Sequence, residues 1–155
     1  MEATIHGVVL KELVSHPDER GFFREIIRVN DPCFQPGFGQ WSHSMMHAGV
    51  IKAWHLHRIQ TDYWYVCHGV LQVGLCDLRP DSPTRNRTMD LLMGDAQTAR
   101  LLKIPAGVAH GCKVLRGPAD LLYVTSHTYN PADELRIPFD TPDIPFDWTS
   151  DPETL

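Results

Sequence analysis

Nine strand-like runs of five to eleven residues, separated by proline- and glycine-bearing turns, punctuate this chain, and that punctuation most narrows its fold. The runs are Thr4–Leu10, Gly21–Val29, Phe38–Ala48, Val50–His55, Asp62–His68, Val70–Leu78, Arg100–Ile104, His110–Leu115 and Leu121–His127. His-Pro-Asp-Glu-Arg-Gly, Asn-Asp-Pro, Gln-Pro-Gly, Arg-Pro-Asp-Ser-Pro-Thr and Arg-Gly-Pro-Ala-Asp stand between them as turn signals. Twelve prolines in 155 residues, against the ~5% usual in proteins, remove amide donors too often for a helical bundle. One segment, Met89–Ala99, reads as a short helix. The prediction is an all-β fold with few short helices, a sandwich or barrel forming one domain over residues 1–155.

Charge divides the chain unevenly. The segment 131–155 carries seven acidic residues and one base, a net −6, whereas residues 1–130 sum to about +1. An anionic ligand would therefore meet the body, and the acidic, proline-rich arm reads as a solvated wrap pinned by Phe139, Phe146 and Trp148. A net charge of −5 argues against a nucleic-acid surface. No apolar run approaches the ~20 residues of a membrane span, and the N-terminus lacks the basic and apolar regions of a secretory signal. These features predict a cytoplasmic chain with no membrane partner. Cys33, Cys67, Cys76 and Cys112 form no CxxC pair and lie in or beside apolar stretches, which predicts buried thiols rather than disulfides or a zinc site.

Gln40, Ser42, Ser44 and Met46 alternate with Trp41, His43, Met45 and His47, so neither face of that strand is cleanly apolar. A barrel holding a polar ligand suits such a strand, and so does an exposed edge. Chemistry concentrates in Gly49–Gly69, GVIKAWHLHRIQTDYWYVCHG. His55 and His57, two apart, project from one face of a strand; Asp62 follows, and His110 stands in Ile-Pro-Ala-Gly-Val-Ala-His-Gly. Two uses compete for these residues. The imidazoles can exchange protons as acid and base, or His55, His57, Asp62 and His110 can ligate one divalent transition metal: zinc, iron, nickel or manganese.

Gly49-x5-His55-x-His57-x4-Asp62-x6-Gly69 and Pro105-x-Gly107-x-x-His110 resemble the two cupin motifs, with Asp in place of the usual Glu. Over roughly residues 1–148 the chain resembles the dTDP-4-dehydrorhamnose 3,5-epimerase family. The likeness rests on Asp18-Glu-Arg-Gly-Phe-Phe23, Gln40-Trp-Ser-His-Ser44, Gly49-Val-Ile-Lys-Ala-Trp-His55, Asp77-Leu-Arg-Pro-Asp-Ser-Pro-Thr84, Ile104-Pro-Ala-Gly-Val-Ala-His-Gly111 and Leu122-Tyr-Val-Thr-Ser-His-Thr-Tyr-Asn-Pro131, in family order.

The resemblance implies a cupin-type jelly roll and a cofactor-free isomerase that epimerises a nucleotide-diphospho-4-keto-6-deoxy sugar. It implies His55 as base, Tyr123 as acid, and Arg20 as a diphosphate contact on an N-terminal strand (within residues 1–30) exchanged across a homodimer. Phe23, Gln40, Ser42, Ser44, Lys52, His57, His110 and Tyr129 are the matching substrate contacts. Three positions depart from the family pattern. Asp62 replaces a lysine, Trp54 and His57 replace a leucine and a variable residue, and the Asp expected after a Trp-Pro element to orient the base is missing. Asp62 can supply that orientation and so act in catalysis, or it can join His55, His57 and His110 around a metal. A non-catalytic sugar-binding cupin is the third reading.

Overall fold

The computed structural model describes residues 3–150 and 152. The outermost positions of the expected domain and arm, 1–2, 151 and 153–155, lie outside them. The chain is an all-β jelly roll of the cupin type, whose only helical piece among the described residues is the 3-10 turn Pro131–Asp133.

Two long antiparallel strands organise the molecule. β6 (Asp62–Asp77) and β9 (Val108–Thr125) pair along nearly their whole length. On its other edge β6 takes β8 (Arg100–Ile104) and then β7 (Thr88–Gly94). The free edge of β9 likewise takes β5 (Ile51–Leu56) and then β4 (Gln40–Met46). β1 (Val9–Glu12) extends the eight-stranded sheet beyond β8, and β10 (Leu135–Arg136) extends it beyond β5. A separate hairpin of β2 (Ser15–Asp18) and β3 (Gly21–Arg24) stands apart.

The sequence divides β6 and β9 into two runs each, and the structure joins them. Gly69, at φ +76°, lies where the β6–β9 register shifts. Such a bulge bends a strand without ending it. The segment expected to be helical, Met89–Ala99, is instead strand over Thr88–Gly94. Met89, Leu91 and Met93 recur every second residue and are all buried, a period that suits a strand and scatters around a helix.

The interior is filled at one end by Leu71, Val73, Leu75, Leu91, Leu102, Ile104 and Val108, each at most 2% exposed. Burying an aliphatic side chain of this size contributes about 1.5–3 kcal/mol, so this end is a packed core. The opposite end is lined by polar groups. A second cluster lies outside β5, where Ile144, Phe146 and Trp148 of the acidic arm pack on Trp54, with the Trp54 and Trp148 ring centroids 5.0 Å apart. The arm is thus docked by Phe146, Trp148 and Ile144, whereas Phe139 is 43% exposed and is not part of that cluster. All four cysteines are free; Cys76 and Cys112 are buried as expected, Cys33 is half-buried, and Cys67 is exposed, facing outward from the bent part of β6.

Candidate active site

The strand period places one polar residue after another on the inner surface at the open end. From β4, Gln40 and Ser44 line a cavity of about 250 Å³; from β6, Asp62 and Trp64; from β9, His110, Cys112, Leu121, Tyr123 and Thr125. Ser42 shares the inner face of β4 and accepts a hydrogen bond from Gln40 Nε2 at 3.1 Å, but it is not among the lining residues. Lys52 and His55 both face the cavity although three residues apart, because the β5–β9 register shifts between them. Gly111 permits the close approach of β5 beside His110: a Cβ there would stand 2.4 Å from Ala53 Cβ. Tyr129 lines the mouth, its backbone N–H donating to Gln40 Oε1 at 2.9 Å. Lys52 Nζ donates to Ser44 Oγ at 3.3 Å.

His55 is held by a residue that sequence reasoning missed. Its Nδ1 lies 3.1 Å from Glu134 Oε1, so the orienting carboxylate is Glu134 and not Asp62. The acidic arm, read as a solvated wrap, begins by building the site. Asn130 caps the 3-10 turn, accepting the Ala132 N–H. Asp133 accepts the backbone N–H groups of Arg58, Ile59 and Gln60 at 2.7–3.2 Å. Burial works to raise the Asp133 carboxyl, but those three donors outweigh it and hold it below the ordinary carboxylate value. β10 then pairs Leu135 with Leu56 and Arg136 with His55, so Glu134 is clamped between an anchored turn and a paired strand. The available sequence signal was local: a carboxylate directly after a capped turn opened by Asn130-Pro131.

His57, Asp62 and His110 form a buried group beside His55. His57 Nε2 is 3.9 Å from Asp62 Oδ1, and His110 Nε2 is 3.7 Å from Asp62 Oδ2. Each Asp62 oxygen accepts one hydrogen bond, from Gln60 Nε2 at 2.8 Å and from Trp64 Nε1 at 3.1 Å. Burial holds His110 below the ordinary imidazole value, against the opposing pull of Asp62. The structure therefore gathers three of the four metal candidates; His55 lies to one side, its ring centroid 6.3 Å from that of His110.

Arg20 and Phe23 belong to the β2–β3 hairpin and do not line their own chain's cavity. Arg20 is bonded to Asp18 and its side chain is 81% exposed. A larger apolar depression, about 450 Å³, lies on the outer sheet surface and is lined by Ile26, Ile27, Val29, Phe34, Phe38 and Trp41 among others. It offers few polar groups for chemistry.

Comparison with known proteins agrees with this geometry. The sequence profile described as dTDP-4-dehydrorhamnose 3,5-epimerase matches residues 2–155. The spore coat polysaccharide biosynthesis protein SpsL of Bacillus subtilis is 45% identical over 150 residues, covering 95% of this chain and 98% of that protein. A dTDP sugar isomerase from Desulfovibrio desulfuricans superposes with a TM-score of 0.88 at 32% identity, over 95% of this chain and 94% of the other. The Legionella pneumophila dTDP-6-deoxy-D-glucose-3,5-epimerase, solved with dTDP-4-keto-L-rhamnose, gives a TM-score of 0.87 at 27% identity, over 96% and 82%. No described helix is long and apolar enough to cross a membrane. Fold, motif order and matches across nearly the full length together make this chain a member of the dTDP-4-dehydrorhamnose 3,5-epimerase family of sugar isomerases.

Proposed function

We propose that this chain epimerises a dTDP-4-keto-6-deoxy sugar by proton transfer beside the keto group, with His55 as base and Tyr123 as acid. The observation that carries the reading is the Glu134–His55 pair opening into the same cavity that Tyr123 lines. The keto group acidifies its neighbouring C–H. His55 Nε2 takes that proton, the C–H electron pair moves onto the keto oxygen as an enolate, and the Tyr123 hydroxyl returns a proton to the carbon from the opposite side. Gln40, Ser44, Lys52 and Tyr129 surround the sugar, and Lys52 is the one lysine or arginine among the described residues that line the cavity, available to a phosphate.

Incubation with a dTDP-4-keto-6-deoxy sugar in D2O tests the reading. We expect deuterium at a carbon adjacent to the keto group, and no incorporation with any nucleotide sugar tried would overturn it. Tyr123→Phe is expected to lower net epimerisation about 10²-fold or more while wash-out of the substrate proton persists, because removal and return are assigned to different groups. Equal loss of both steps would remove Tyr123 from the acid role.

The chain acts as a homodimer in this proposal, with Arg20 and Phe23 delivered to the partner's cavity. Phe22, Phe23, Val29, Phe38 and Trp41 are all more than 60% exposed, and Val29, Phe38 and Trp41 share one apolar depression, the kind of surface that another chain covers. Complementation reports on it directly. Chains carrying Arg20→Ala and chains carrying His55→Asn should each be impaired, and an equal mixture should recover about a quarter of wild-type activity, since half the dimers are mixed and hold one intact site. A mixture no better than its components would exclude sharing.

A further inference from the structure

Two imidazoles and a carboxylate, those of His57, His110 and Asp62, converge at the cavity floor. His57 Nδ1 lies 2.8 Å from the Asp133 carbonyl oxygen, and His110 Nδ1 lies 3.0 Å from that of Val108. A carbonyl only accepts, so in both rings Nδ1 carries a proton and Nε2 is the ring atom left to meet a ligand. Both Nε2 atoms face Asp62 at 3.7–3.9 Å, beyond hydrogen-bond reach, and the three side chains are at most 8% exposed. Two imidazole nitrogens and a carboxylate aimed at one another with so little exposure are a donor set that a positive charge among them would satisfy.

We propose that His57 Nε2, Asp62 and His110 Nε2 form a binding site for one first-row divalent transition cation, with His55 outside it. The donor atoms all lie within 4.8 Å of one another. Tetrahedral bonds of ~2.0–2.2 Å require separations of about 3.3–3.6 Å, so each imidazole must close on Asp62 by a few tenths of an ångström and the widest pair of donors by up to roughly 1.2 Å. Backbone carbonyls on both Nδ1 atoms, and the Gln60 and Trp64 donors on Asp62, are the outer contacts that orient metal ligands. Two nitrogens and one carboxylate favour a transition cation over magnesium or calcium. His55 keeps its lone pair, so base and cation are separate groups. The use of the site, unlike its existence, rests on the epimerase reading: Asp62 alone would oppose an enolate, and a cation there reverses that sign and polarises the keto oxygen.

Untagged protein treated with a chelator and titrated with Co²⁺ decides the matter. One equivalent per chain should bind with visible d–d bands, and paramagnetic shifts in the untouched wild type should fall on the ring protons of His57 and His110 while His43 and His127 stay put. His57→Ala and Asp62→Asn should each weaken binding by at least the roughly 10–100-fold that even outer contacts are worth. No saturable uptake, uptake that both variants retain, or shifts centred on other histidines would overturn the site; the wild-type shifts decide even if a variant fails to fold. Deuterium wash-in without cobalt uptake removes this inference and leaves the epimerase reading intact, and uptake without wash-in does the reverse.

Discussion

His55→Asn should reduce proton exchange next to the substrate keto group by about 10²–10⁴-fold, the usual contribution of a positioned general base, while dTDP binding holds. The size follows from the surroundings of the ring. His55 is 31% exposed at its side chain, opens into the cavity, and has its far nitrogen occupied by Glu134, so Nε2 is the one basic atom of that ring that a sugar can meet. Asparagine retains the volume and polarity of the side chain and removes the basic nitrogen. Measuring deuterium wash-in against dTDP affinity by calorimetry separates chemistry from binding. A variant that exchanges protons within a few-fold of wild type would remove His55 from the base role. One that loses dTDP binding in the same proportion would make it a binding residue instead.

How much of this was legible in the sequence differs element by element, for physical reasons. The nearness of His57, Asp62 and His110 was legible only through the spacing of the two cupin-like motifs, whereas strand identity depends on a period of two, which is local, and it was legible. So was the inner face of β4, where alternation alone separates Gln40 and Ser44 from Trp41 and His43. The strand Thr88–Gly94 carried the same signal at Met89, Leu91 and Met93 but was masked by Leu92, which fills the one intervening position that would have been polar. Gly69 read as a turn because a glycine at positive φ serves a bulge and a reversal equally well. Glu134 was not legible. Its partner lies 79 residues earlier, and only the pairing of β10 on β5 brings the two together. The four-ligand metal set failed in a related way. Residue type and a two-residue spacing show that His55 and His57 share a face, but not that an arm from far along the chain has already taken one ring's orientation.

Glu134→Gln is where the geometry departs furthest from the sequence reading, and it should lower kcat by about 10²–10⁴-fold with KM changed only a few-fold. A carboxylate can only accept, so Glu134 requires the His55 proton on Nδ1 and leaves Nε2 free for the substrate. Glutamine presents an amide that can also donate; when its nitrogen faces Nδ1, the ring proton moves to Nε2 and the base is lost although every atom stays in place. This makes Glu134 a positioning residue, and two readouts separate that role from simple packing. The ¹⁵N pattern of His55 should be that of the Nδ1–H tautomer in wild type and should change in Glu134→Gln. Glu134→Asp, which keeps an acceptor on a shorter arm, should recover part of the lost turnover, because the anchored Asp133 turn and the β10–β5 pairing hold the backbone where it was. Wild-type turnover in Glu134→Gln, or an Nε2–H ring in the unmodified protein, would show that His55 takes its orientation from elsewhere.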